Sequence, residues 1–388
     1  MNSPTSIDSL SDTDRVSFMF PSVSIAIPTY NEKLHIGKLL QCFINSQYPN
    51  IIEIIIADGG SSDGTQNIVR EFSEKDSRIH LIENPKKIQS HALNLILSEC
   101  KGDIFLRLDA HSDYATDYVE QCVEALLSSG ALNVGGAQRF VARTNFQAGV
   151  ALASRSILGN GGAKYRNPNY DGYADTVYLG CFWKHGLLAV SGYEIEARVN
   201  EDAQVNAKLI YTAYNSEQIT NQDARLNAKL RKNYRHPIYV SSRIKVWYYP
   251  RDTLSALFLQ YLKYGRGRSL NSSKYKSKAP LRSKLPFLVI LLFLLLVTLS
   301  FVSKWISFLT LAIAILSALI LVIETTRVFL RNRSCFFDEI WRGNSSQSPS
   351  FSLIWFFCLV SLLTMPIAHF SGYSYQLFRR FILQKKGW

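Results

Sequence analysis

Between residues 23 and 108 the chain alternates short apolar runs with segments of helical spacing, and few folds accommodate that alternation. Residues 23–27, 51–57, 79–82 and 103–108 have the composition of largely buried strands. Between them Ile36, Leu39, Leu40 and Phe43 recur at helical intervals, and residues 65–72 and 92–97 are helical in character. Strands and helices alternating at these lengths predict an α/β fold: a parallel sheet with right-handed crossovers, a Rossmann-like half. Pro28, which removes a backbone donor, is expected to end the first strand.

Ligands of open parallel sheets bind just beyond the carboxyl ends of the strands. The fourth run turns abruptly polar at Asp109-Ala110-His111-Ser112-Asp113, which offers two carboxylates and an imidazole. A divalent cation could hold a diphosphate there. The plainer alternative is that Asp109 caps a helix and His111 is a surface residue. After the first run comes Pro28-Thr29-Tyr30-Asn31-Glu32, and after the second Asp58-Gly59-Gly60-Ser61-Ser62-Asp63-Gly64-Thr65. Those glycines permit close approach of backbone to ligand, and Asp58 could accept bonds from a base or ribose. Asp63 and Thr65 read equally well as helix-start residues. Neither GxGxxG nor GxxxxGK[ST] occurs, which disfavours a dinucleotide enzyme or an ATPase.

The net charge of +13 is concentrated: residues 229–284 hold fifteen Lys/Arg against the single acid Asp252. Three apolar runs follow, 286–302, 305–323 and 351–370, each near the length needed to span a bilayer. Contact with membrane lipids therefore outranks nucleic acid as the reason for the charge. The six cysteines are scattered with no CxxC pair, which suits a reducing cytosol rather than a zinc site or a disulfide framework. Residues 1–20 lack an apolar stretch behind positive charge and are expected to be a mobile tail.

IPTYNE (27–32), ADGGSSDGT (57–65), HALN (91–94) and RLDAHSDY (107–114), in this order, resemble a family 2 glycosyltransferase, closest to the exopolysaccharide branch whose metal motif reads DAH. The likeness continues through residues 154–168, 175–183 and 200–202 to YYPRDTLSALFLQYLKYGRGRS (248–269). The resemblance implies a nucleotide-sugar-binding fold of glycosyltransferase A type. Pro28, Tyr30, Glu32 and Asp58 would border the nucleoside of the donor. Asp109 and His111 would hold Mn²⁺ or Mg²⁺ and the diphosphate; the imidazole, where most relatives have a carboxylate, tilts the choice toward Mn²⁺, and Asp113 is an alternative oxygen ligand. The base would come from the pair Glu201-Asp202. Here the sequence duplicates itself: VNEDAQVNAKLI (199–210) and TNQDARLNAKLR (220–231) are copies 21 residues apart, so Asp223 rivals Asp202. Trp183 would meet a sugar face or, as is the default for an aromatic in a strand-like run, belong to the core. Gln260, Arg266 and Arg268 would contact the donor diphosphate or the acceptor; interfacial contact with lipid headgroups is the alternative for Arg268.

The expected organisation is a tail (1–20), a cytosolic catalytic domain (21–284, with a donor half 21–114 and an acceptor half 115–284) and a membrane region (285–388). The expected activity is inverting transfer of a sugar from a nucleoside diphosphate to a lipid-linked or polysaccharide acceptor, at an inner membrane. A polyprenyl-phosphate glycosyltransferase and a catalytically silent nucleotide-sugar-binding scaffold are the alternatives. Three crossings would leave Arg379, Arg380, Lys385 and Lys386 outside, against the positive-inside tendency; either one run does not cross or the segment 336–341 re-enters.

Overall fold

A computed structural model describes residues 20–194, 201–214, 236–274, 284–343 and 348–385. The chain forms two compact units, residues 1–137 with 168–246, and residues 138–167 with 247–388.

The first unit is built on a mixed sheet. Its strands are β1 (Val23–Thr29), β2 (Ile51–Asp58), β3 (Ile79–Glu83), β4 (Ile104–Arg107), β5 (Ser112–Tyr114), β6 (Asn133–Phe140), β7 (Gly172–Tyr173), β8 (Cys181–Trp183) and β9 (Ile238–Tyr248), in the order β3-β2-β1-β4-β8-β6-β9-β5 with β7 on β9. The pairs β1–β2, β1–β4 and β2–β3 are parallel, so the expected Rossmann-like half is present. Direction reverses at β8, which runs antiparallel to both β4 and β6. Ile25, Ile27, Ile54 and Ile56 are fully buried against Ile36 and Leu40 of the helix Ile36–Ile44. Each such side chain contributes about 1.5–3 kcal/mol by leaving water. Ala26, Ile55 and Phe105 join a second cluster with Leu93 and Ile96 of the helix Gln89–Glu99.

Pro28 does not end β1. The strand runs on to Thr29, with Pro28 opposite Ala57 of β2. The ladder to β4 stops at Ala26 opposite Arg107, so the missing N–H of Pro28 faces no strand and costs no ladder bond.

The second unit is helical. The helices Asn145–Arg155 and Leu254–Lys274 pack against the long helix Phe351–Phe381. Glycines make these crossings possible: a Cβ on Gly149 would sit 2.6 Å from Phe357 Cβ, and one on Gly372 would sit 1.9 Å from the Leu262 carbonyl oxygen. Leu285–Ser300 and Lys304–Arg331 form an antiparallel hairpin, with the Ser307 hydroxyl donating to Ser300 O (2.6 Å) and that of Thr310 to Leu296 O (3.3 Å). All three apolar runs are thus helical. Among the described residues Lys304–Arg331 and Phe351–Phe381 are long and apolar enough to cross a membrane; Leu285–Ser300 has 16 residues. The segment expected to re-enter is a single π turn, Phe336–Ile340, with Phe336 and Ile340 buried.

Candidate active site

The loops after β1 and β2 are laced together by their own hydrogen bonds. Asn31 N–H donates to Ser61 Oγ (2.8 Å), Ser62 N–H to Asn31 Oδ1 (2.9 Å), Glu32 N–H to Thr65 Oγ1 (2.9 Å) and Lys33 N–H to Asp63 Oδ2 (3.0 Å). Asp63 and Thr65 therefore organise the loop, and the following helix Thr65–Ser73 starts at Gly64. Asp58, at the end of β2, is buried, and the loop's own donors occupy its carboxylate. Gly60 N–H (3.0 Å), Ser61 N–H (2.8 Å) and Gln66 Nε2 (2.5 Å) bind Oδ1, while Ser61 Oγ (2.5 Å) and Thr29 Oγ1 (3.3 Å) bind Oδ2. Burial alone would raise the Asp58 pKa; the bonds from Ser61, Gln66 and Gly60 outweigh it and hold the group below the usual aspartate range. Beside this loop the Tyr30 ring is exposed, with Lys87 Nζ 5.9 Å from its centroid.

The second cluster lies where β4 ends. Asp109 follows β4 by two residues, and its carboxylate accepts from Gln89 Nε2 (3.1 Å) and Arg107 Nη2 (3.3 Å). Its backbone is pinned by Tyr114, whose hydroxyl bonds both the N–H and the carbonyl of Asp109. Arg107 is only 3 % exposed, and its Nη1 pairs with Asp202 in the first turn of the helix Glu201–Tyr214. One guanidinium thus bridges the strand-end aspartate and the helix-start aspartate. The Leu179 N–H also donates to Asp202, and Leu179 holds a left-handed φ of 65°. That conformation costs about 1–3 kcal/mol for a non-glycine residue, of the kind found at functional sites.

Burial pushes the Asp202 carboxyl up to about 7; Arg107 pulls against this, and Asp109 and Glu201 add to it. Glu201 is also raised, by burial, with Arg107 again opposing. The neighbouring Tyr193 main chain is fixed by Asn94 of the HALN stretch, through Asn94 Nδ2 to Tyr193 O and Tyr193 N–H to Asn94 Oδ1, both 2.8 Å. Asn94 of HALN is therefore a brace for Tyr193. Gly192, with φ 63°, has no room for a side chain, because a Cβ would fall 2.5 Å from Asn94 Oδ1.

His111 Nδ1 lies 3.2 Å from Glu32 Oε1, which joins the end of β1 to the DAH stretch. Asp113, the alternative ligand, is held by Lys38 Nζ at 2.5 Å. No three His, Cys, Asp or Glu side chains form a metal-holding group among the described residues. Trp183 is not brought to this cluster. It pairs with Ile104 at the amino end of β4, away from Asp109, packs on the core and stacks on His185. Pro28 is the half-buried strand residue described above. Gln260, Arg266 and Arg268 belong to the second unit. Gln260 donates to the hydroxyls of Tyr248 (3.1 Å) and Tyr264 (3.0 Å), Arg266 lies over the Tyr375 ring, and Arg268 is half-buried. Asp223 falls outside the described residues. Arg107 and Gln89 are the contacts that motif reading missed. The signal for Arg107 was present, since a lone arginine in a buried strand requires a charged partner.

Residues 24–183 match the family described as Glycosyl transferase family 2. The succinoglycan biosynthesis protein ExoA of Rhizobium meliloti is 36% identical over 267 residues, 68% of this chain and 74% of that protein. A dolichyl N-acetyl-α-D-glucosaminyl phosphate 3-β-D-2,3-diacetamido-2,3-dideoxy-β-D-glucuronosyltransferase of Methanococcus voltae is 26% identical over 258 residues, 64% of this chain and 73% of that one. Among solved structures, the mannosyltransferase PcManGT of Pyrobaculum calidifontis, in complex with GDP-Man and Mn²⁺, superposes with a TM-score of 0.52 at 16% identity, covering 93% of this chain and 88% of that one; the likeness is one of fold. With the mixed sheet, the carboxylates gathered where β4 ends and these matches, the chain belongs to the family 2 glycosyltransferases.

Proposed function

We propose that the chain transfers a sugar, with inversion, from a nucleoside diphosphate donor to a lipid-linked or polysaccharide acceptor in exopolysaccharide assembly at a membrane. The observation that carries the reading is the bridge Asp109–Arg107–Asp202 at the carboxyl end of β4. It sets a base beside the residue expected to face the diphosphate. Inversion needs one displacement: the acceptor hydroxyl attacks the anomeric carbon as its proton passes to a carboxylate. Asp202 suits that role, because its pKa of about 7 leaves it ionised in part and basic enough to take the proton. Arg107 and the Leu179 N–H keep its carboxylate from turning away.

Asp109 and His111 fit a divalent cation: a carboxylate at a strand end and an imidazole that is 42% exposed beside the Glu32 carboxylate. So small a protein ligand set is what Mg²⁺- or Mn²⁺-bound phosphates call for, because substrate oxygens and water supply the rest. Bound there, the cation would neutralise charge on the departing nucleoside diphosphate. The loop built on Asp58, with the exposed Tyr30 ring, would seat the nucleoside; Asp58 shapes that loop rather than offering a free oxygen. Glu201, Trp183, Gln260, Arg266 and Arg268 remain proposed acceptor or diphosphate contacts, and Asp223 remains the rival base. The apolar helices from Leu285 onward and the basic stretch before them support a multi-pass inner-membrane location with residues 21–284 on the cytosolic face.

The test is release of nucleoside diphosphate from a panel of UDP- and GDP-sugars by the detergent-purified chain, with and without a polyprenyl-diphosphate-linked sugar. Release that needs Mn²⁺ or Mg²⁺ and stops on chelation is the expected result. Tight donor binding with no release from any donor would instead indicate a silent scaffold, and undiminished release in chelator would remove the cation from the mechanism.

A further inference from the structure

We propose that the helix Phe351–Phe381 does not cross the bilayer but lies in its interface, and that the hairpin Leu285–Ser300/Lys304–Arg331 alone crosses; this rests on the membrane reading above. The hairpin serves as a depth gauge. At its tip Phe301, Val302 and Trp305 are more than four-fifths exposed (87%, 84% and 85%), next to Lys304, the residue types of a far membrane interface. At 1.5 Å per residue, Glu324 lies about 30 Å from Lys304, the thickness of a hydrocarbon core. There the charged groups resume after Lys304: Ser156 Oγ and Arg327 Nε each meet the Glu324 carboxylate at 2.6 Å. The hairpin therefore opens on the side of Lys284.

The helix Phe351–Phe381 meets this gauge twice. Near its start, Trp355 Nε1 donates to Thr326 Oγ1 (3.1 Å), and the Phe351 ring is 5.9 Å from that of Phe329. Further along, Phe370 and Tyr373 stack on Phe287 at 5.5 and 4.6 Å. Phe287 is the third residue of the first hairpin helix. The Ser307–Ser300 and Thr310–Leu296 bonds set the hairpin register, and they place Thr326 and Phe287 only about 10 Å apart in depth. From Trp355 to Tyr373 the long helix advances about 27 Å along its own axis. It therefore runs across the hairpin axis more than along it, whereas spanning helices tilt by about 20° on average.

Its two faces agree. Ile354, Cys358, Met365 and Ala368 are buried on one side, next to the glycine crossings with Asn145–Arg155 and Leu254–Lys274. On the other, Leu353, Phe356, Leu363, Ile367 and Phe378 form an exposed apolar stripe. A helix with one face on protein and one apolar face open, ending in Arg379 and Arg380, fits the acyl–headgroup boundary of an anionic lipid surface. Both basic groups, Arg327–Arg342 and Arg379–Lys385, then share the side of Lys284, which removes the conflict with the positive-inside tendency.

The experiment places epitope tags at the N-terminus, after Gly343 and at the C-terminus of the full chain, and reads protease accessibility in inside-out vesicles and spheroplasts. All three tags on the cytosolic face is the expected result. A C-terminal tag on the opposite face means three crossings, and a tag after Gly343 on the opposite face means that the two long helices cross; either overturns the proposal. A second measurement avoids the inserted tag. With the native cysteines changed to alanine, fluorophores on Ile367→Cys and Leu316→Cys are exposed to lipids brominated at shallow or deep positions. Shallow quenching at 367 with deep quenching at 316 supports the interfacial helix, and deep quenching at 367 overturns it. Release of the whole chain from vesicles by alkaline carbonate would sink the membrane reading together with this one.

Discussion

Two aspartates at strand ends or helix starts, Asp58 and Asp202, both buried or nearly so, have been driven in opposite directions. Asp58 receives five donors and is held below the usual aspartate range, so it stays an anion that the loop has used up. Asp202 receives one arginine and one backbone N–H, has two acidic neighbours, and is pushed up to about 7. The difference lies in the donor count set against burial and like charge. It separates a carboxylate that builds a binding loop from one that can exchange a proton near neutrality. Changing each aspartate to asparagine should therefore damage different quantities.

The largest effect is expected at Asp202. Asp202→Asn keeps the shape and removes the base, and should lower turnover by about 10²–10⁴-fold with donor binding retained. Asp223→Asn should leave turnover within a few-fold. Rates of both variants at saturating donor decide the matter; a dead Asp223→Asn with an active Asp202→Asn would transfer the role to the second copy of the repeat.

Arg107→Lys comes next. Lysine keeps the charge but lacks the planar fork that reaches Asp109 and Asp202 at once. Misplacing the base by about 1 Å can cost about 10²-fold, so kcat should fall by up to that factor while donor KM holds. Combined with Asp202→Asn it should cost little more than Asp202→Asn alone, because Arg107 acts through that carboxylate. Additive losses in the double variant would mean that Arg107 acts independently of Asp202, through Asp109 or through the fold.

Much of this was legible in the sequence, and the reasons are physical. Period and polarity located β1 to β4, and the abrupt change after Leu108 located Asp109 at a strand end. Glu201-Asp202 was located through the resemblance, and both carboxylates lie in the first turn of a helix, the end that favours them. What could not be read depends on pairings distant in sequence. Arg107 and Asp202 are 95 residues apart, and no local pattern pairs them. The saturation of Asp58 needs donors from three segments, and its Asp-Gly-Gly turn looks the same whether the carboxylate is free or occupied. The helix Asn145–Arg155 gave no sign that it packs on the apolar helix Phe351–Phe381; that pairing exists because Gly149 lets the backbones touch.

The pH dependence is a smaller effect. A base with a folded-state pKa of about 7 makes turnover rise with pH to that value, about tenfold per unit below it, and then level off. The stability term has the opposite sign. A carboxyl whose pKa is raised on folding contributes stability that is full below its unfolded pKa, about 3.9, and is lost as pH rises toward 7. Activity should therefore climb while the melting temperature drifts down across that window, and Asp202→Asn should flatten both curves. An unchanged melting profile in Asp202→Asn would mean that Asp202 ionises normally.

The smallest effect on turnover is expected at Asp58, where the loss should appear in stability. Asp58→Asn keeps one acceptor oxygen but turns an NH₂ toward donors already aimed at a carboxylate, so at least one buried donor goes unpaired, at about 1–3 kcal/mol. The sign of its pH dependence is also the reverse of that at Asp202. A carboxyl whose pKa is lowered on folding contributes stability that is present above its unfolded pKa, about 3.9, and is lost as pH falls through the folded value. The wild type should thus lose stability in acid through this group, whereas Asp58→Asn should start lower and lose less below pH about 4. Denaturant titrations of the two proteins at neutral and acid pH measure this directly, and kcat should fall only as far as the nucleoside loop is disturbed. A fall in kcat matching that of Asp202→Asn, with stability unchanged, would mean that Asp58 does chemistry after all and that its five donors part when donor binds.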